Sequence, residues 1–91
     1  MNSTEEDDAR TVAAARDAAY FMVTIYVSQG TMCRLPAKSL AHARAGGALL
    51  EQRLNNGRLS MVYAIADDES TGIFVSRRLD ERILSAQPPS S

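Results

Sequence analysis

Tyr20-Phe21-Met22-Val23-Thr24-Ile25-Tyr26-Val27 is the stretch on which the fold turns. Every residue in it is aromatic, β-branched or methionine, which is strand composition. Strand alternation puts Phe21, Val23, Ile25 and Val27 on one side, assigned to the core. Tyr20, Met22, Thr24 and Tyr26 take the other side. That second side is too apolar for a plainly solvated face, so the sequence expects something to cover it.

Toward the C-terminus, Ser28-Gln29-Gly30-Thr31 reads as a turn, and Met32 to Leu35 as a short return strand or an extended connector. Pro36 suits the first turn of a helix, which predicts a long helix from Pro36 to Asn55, stopped by Asn55-Asn56-Gly57. Leu40, Ala43, Gly47, Leu50 and Leu54 form its apolar stripe, and Ala37, Ala41, Ala45 and Ala48 a second stripe of small residues. Gly46-Gly47 costs this helix roughly 2 kcal/mol relative to alanines. The apolar period runs through the pair, which points to close backbone packing. Arg58 to Ala66 alternates as a second strand, Asp67 to Gly72 is a hairpin loop, and Gly72 to Arg77 returns as a third strand, with Ile73 and Val75 on one side and Phe74 on the other. Leu79 to Leu84 adds a helical turn, and residues 87–91 read as a disordered tail.

Toward the N-terminus, Ser3 and Glu6 fit a capping box that opens a helix from Thr4 to Ala18. Val12, Ala15 and Ala19 make a poor stripe, so this helix is expected to fray or to dock on a neighbouring chain. The fold class that follows is α+β: a single domain over residues 1–86, with an N-terminal helix and one long helix packed on a short, mainly antiparallel sheet of three or four strands. Two topologies remain open. A strand-helix-strand crossover makes the first two strands parallel neighbours. Alternatively, residues 20–35 form a hairpin, giving two hairpins around one helix.

With 91 residues, no Trp, two Phe and three Tyr, the core is thin, which makes a homo-oligomer the expected state. A single cysteine, an acidic N-terminus and no long apolar run favour a reducing, cytoplasmic setting without a membrane. Nine Arg against one Lys, with abundant alanine, suggest a GC-rich bacterial genome. The net charge of −1 conceals a basic middle, because residues 34–58 carry five cations against Glu51 alone.

No motif specifies a reaction. Cys33 and His42 resemble a nucleophile and its base, but nothing places them together and no third group orients the base. With two ligands at most, they are also too few for a metal. Ser28-Gln29-Gly30-Thr31 matches no phosphate-binding fingerprint, and Asp67-Asp68-Glu69 lacks the oxygen set of a cation loop. No catalytic, cofactor or metal residue is therefore expected, and an enzyme is disfavoured. The expected function is a protein-protein interaction or regulatory module, a homodimer or a partner of another protein, with Tyr20, Met22, Tyr26, Ala41, Ala45 and Gly47 at the interface. The alternative is a nucleic-acid-binding regulator using Arg34, Lys38, His42, Arg44, Arg53 and Arg58, against which stands the slightly acidic whole chain.

Overall fold

The computed structural model describes residues 3–28, 30–54, 58–67 and 72–86. The elements are α1 (Ser3–Arg16), β1 (Tyr20–Ser28), β2 (Thr31–Ala37), α2 (Leu40–Leu54), β3 (Met61–Ile65), β4 (Gly72–Phe74), a 3₁₀ turn (Arg77–Leu79) and α3 (Asp80–Ala86). The four strands form one sheet in the order β2-β1-β3-β4, and every neighbouring pair is antiparallel. This is the α+β class expected, with the four-stranded sheet. The two-hairpin topology holds: β1 pairs with β2, and β3 joins the far side of β1, antiparallel to it.

Register sorts the sheet into two faces. Ala37, Phe21, Ala64 and Ile73 lie in one row across the strands, with Leu35, Val23 and Val62 in the next inward-facing row. This inner face meets the helices. Phe21, Val23, Val62, Ala64 and Val75 pack with Leu40 and Ala43 of α2, Ala15 of α1, Leu79 of the 3₁₀ turn and Ile83 of α3. Each fully buried Val, Leu or Ile contributes about 1.5–3 kcal/mol. α2 lies chiefly over β1.

Several boundaries differ from the sequence expectation, each for a local reason. Pro36 belongs to β2, opposite Met22, and not to a helix. β2 is an edge strand, where a residue without an N–H is tolerated. The helix begins four residues later than an N-terminal proline implies, because Ser39 caps it: its hydroxyl accepts a hydrogen bond from the His42 amide at 3.1 Å, and its carbonyl one from the Ala43 amide at 2.9 Å. Lys38 therefore precedes α2 and shares no helix face with His42. Val27, assigned to the core, is exposed, since the β1–β2 register shifts between Tyr26 and Ser28. Leu59 lies outside β3 and is 69% exposed.

α1 docks on its own chain. Ala15 is buried, and the carboxylate of Asp8 accepts two hydrogen bonds from Arg78, at 2.7 and 2.6 Å. The C-terminal segment is longer than the single turn expected, and Leu79 and Ile83 anchor it. The expected stop at residues 55–57, most of the β3–β4 loop, the tail and the side chain of Ser3 lie outside the described residues.

Candidate functional site

Strand alternation places apolar residues on the second face of the sheet, and the helices pack on the first. Across that second face run the rows Pro36–Met22–Tyr63–Phe74, Arg34–Thr24–Met61 and Tyr20–Ile65–Gly72, with Met32 opposite Tyr26. No described residue of a helix joins it to the core. Phe74 is 50% and Tyr26 42% exposed, while Met22, Met32, Met61 and Tyr63 are half-buried among one another. The ring of Tyr63 meets that of Phe74 edge-on at 5.8 Å, and its hydroxyl donates to the Met61 sulfur at 3.9 Å. The face is thus an ordered apolar surface with one charged residue among the described ones, Arg34, on its edge strand.

A shallow groove of about 380 Å³ runs along this face, lined by Met22, Thr24, Met32, Arg34, Tyr63, Ile65 and Gly72. At its floor Thr24 is only 6% exposed. Its hydroxyl is the one buried side-chain polar atom among the described residues without a hydrogen-bond partner. Such atoms are rare because an unsatisfied buried hydroxyl is costly.

The candidate interface residues separate into three places. Tyr20, Met22 and Tyr26 lie on the open sheet face. Ala41 and Ala45 are exposed on α2, away from the sheet. Gly47 is buried within the chain, where a Cβ would lie 3.2 Å from Ser60 Cβ and 3.5 Å from Val23 Cγ1. Its role is to let α2 approach its own sheet.

The basic residues are equally dispersed. Arg34 sits on the open face, Lys38 before α2, and His42 in the first turn of α2, with its ring Nδ1 3.1 Å from the Ser39 hydroxyl. Arg53 is exposed in the last turn of α2, and Arg58 lies before β3. Arg44 is engaged inside the fold: Nε and Nη2 donate to the Asp80 carboxylate at 2.6 and 2.7 Å, and Nη2 also to the Val75 carbonyl at 2.9 Å.

Two carboxylates are held below their ordinary range. Glu51 accepts from the Ser60 amide and hydroxyl, each at 2.7 Å, and then from Arg77 at 2.7 Å; these bonds stabilise its charged form and lower its pKa. The Arg78 guanidinium lowers that of Asp8 and is itself raised by the pair. Arg77, Arg78 and Asp80 thereby tie the C-terminal segment to α2, α1 and α2 in turn.

Cys33 and His42 are not brought together. Cys33 lies four positions along β2 from Ala37, about 13 Å at the rise of a strand, while His42 is beyond the Ala37 end. The Ser28–Thr31 turn joins two strands, with Gly30 at φ 73°, so it does not present a helix N-terminus. Among the described residues no three of His, Cys, Asp and Glu gather as metal ligands, and no helix is long and apolar enough to cross a membrane. Comparison with protein-family models, with curated proteins and with solved structures finds no match for this chain.

Sequence reasoning singled out one half of the open face, from β1. It missed the β2, β3 and β4 contributions, Met32, Met61, Tyr63 and Phe74, although the alternation of Met61, Tyr63 and Ile65 with Ser60, Val62 and Ala64 carries the same two-sided apolar signal.

Proposed function

We propose that this chain is a protein-protein interaction module that associates with a second copy of itself through the open face of its sheet. The observation that carries this reading is the continuous apolar surface running across all four strands, from Met32 and Pro36 on β2 to Phe74 on β4. Contiguous apolar patches rimmed by polar residues mark interaction sites.

A second copy fits this surface for two reasons. Its one charge among the described residues, Arg34, lies on the outermost strand, so the centre is apolar and the rim charged, as in ordinary interfaces. A two-fold axis along the strands would set β2 over the partner's β4, so the two Arg34 side chains fall on opposite rims. Met22 would then stack over the Tyr63 ring of the second copy, a favourable sulfur-aromatic contact. The area required is also modest. A standard interface covers about 800 Å² per partner, roughly an eighth of the chain's 6288 Å² surface.

The sheet edges are poorer candidates. β4 has three residues, and β2 carries Pro36 and Arg34, which discourage strand addition. Ala41 and Ala45 allow close approach but offer little area to bury.

Light scattering on a sizing column tests the reading with Met22→Glu and Tyr63→Glu, both checked for fold by circular dichroism. The native chain should run as a dimer at about 100 µM and the two variants as monomers. A native chain that stays monomeric at about 100 µM, or a dimer indifferent to both substitutions, would remove it.

A further inference from the structure

We propose that the groove on the open sheet face is a binding site for a small amphipathic carboxylate, with Arg34 and the Thr24 hydroxyl holding the carboxylate. The inference rests on reading this face as a binding surface, and it concerns the groove while it is open to solvent, since a second copy would set its own Met22 over the Tyr63 that lines it.

Thr24 and Arg34 are directly opposite one another in the β1–β2 register. On one sheet face this brings their Cβ atoms to about 5 Å. The Thr24 hydroxyl has no partner, and Arg34 has no ion pair or hydrogen bond among the described residues. By contrast Arg44, Arg77 and Arg78 are each bound to a carboxylate of the fold. A valine at position 24 would fill the same space with no polar atom to satisfy. Two adjacent groups that lack acceptors, both able to donate, describe the complement of a carboxylate: the guanidinium grips it as a planar fork and the hydroxyl adds a third donor.

The rest of the groove defines the ligand's body. Met22, Met32, Tyr63 and Ile65 line it, and among the described residues no acidic side chain does. One cation selects a monoanion. At about 30 Å³ per water-sized unit, 380 Å³ accommodates a molecule of roughly a dozen non-hydrogen atoms. Gly72 keeps one end open, since a Cβ there would stand 3.1 Å from Ile65 Cδ1 and 3.7 Å from Tyr63 Cβ. Met22 and Met32 are unbranched and adaptable, so the lining can re-form around a ligand at the buried hydroxyl. A few convergent polar groups in an otherwise apolar concavity is the usual composition of small-molecule sites.

Calorimetric titration of the full chain with octanoate, octanol and acetate tests this directly. Octanoate should bind, and octanol and acetate should each bind at least about tenfold more weakly. Arg34→Gln should lose octanoate about tenfold or more, Arg34→Lys should keep part of the affinity, and Thr24→Val should weaken it several-fold without lowering the melting temperature. Failure of octanoate to bind, equal binding of octanol, or undiminished binding by Arg34→Gln would overturn the proposal. Sedimentation of the same samples reports self-association separately. A dimer without an octanoate site would refute the carboxylate site and leave the interaction reading standing, whereas a monomer that binds octanoate through Arg34 would do the reverse.

Discussion

At position 47 helix α2 and the start of β3 approach so closely that a methyl group would press on the side chain of Ser60. Ser60 cannot easily yield, because its hydroxyl and amide both donate to Glu51. Gly47→Ala should therefore destabilise the fold, and Gly47→Leu should do so by about 1–3 kcal/mol or more, the range for overpacking. Position 46 differs. A Cβ there meets only Leu35 Cδ2, at 3.0 Å, the far end of a flexible and 40% exposed side chain. Gly46→Ala should be neutral or stabilise by up to about 1 kcal/mol as the glycine entropy cost is removed. Urea melts of the variants decide this, and equal tolerance at both positions would contradict the packing described. Thr24→Val is a second single-residue case. Removing a buried hydroxyl without a partner should stabilise the chain by about 1 kcal/mol, seen as a rise of about 4–8 °C in Tm for a domain of this size. A loss of stability would show that the hydroxyl is satisfied within the fold.

α1 and the C-terminal segment have little apolar surface, and charge supplements it: Asp8–Arg78, Glu51–Arg77 and Asp80–Arg44. Asp8 and Glu51 have folded pKa values below their ordinary 3.8 and 4.5. Their contribution is complete above those ordinary values and is lost as pH falls through the lower folded ones. Stability should thus be flat from neutrality to about pH 5 and fall below about 4.5, with Glu51→Gln flattening the fall. A denaturation midpoint that stays constant down to pH 3 would contradict this role. Arg44→Ala should cost about 1.5–3 kcal/mol, the range for hydrogen bonds to charged groups, because it leaves Asp80 and the Val75 carbonyl without their donor.

These ties also mark what the sequence makes visible. Strand β1, the long helix and the β3–β4 hairpin follow from composition and period. The stripe through Gly47 correctly places the inner face of α2. The ion pairs join residues 26, 36 and 70 positions apart, and nothing local records such partners. Pro36 misdirects the helix start because proline suits an edge strand as well as a first turn. The pairing of β1 with β2 is equally silent, since alternation fixes which face a side chain takes and not which strand lies beside it. Thr24 reads as an ordinary strand residue until its cross-strand neighbour is known.

At the scale of the molecule, three helices cover one face of a four-stranded sheet and leave the other to itself. The Cα trace measures 38 × 37 × 26 Å, a slab with one apolar side. Two such slabs stacked at the usual sheet spacing of about 10 Å would complete a sandwich. We propose that this side, and not α2 or a strand edge, is where the chain meets its partner. Amide and methyl NMR spectra followed on dilution from about 500 to 10 µM, a range that spans micromolar dissociation constants, test it most directly. The account predicts that signals of Met22, Met32, Met61, Tyr63 and Phe74 move with concentration while those of Ala41 and Ala45 stay fixed. Spectra that do not change with concentration, or changes confined to the outer side of α2, would contradict it.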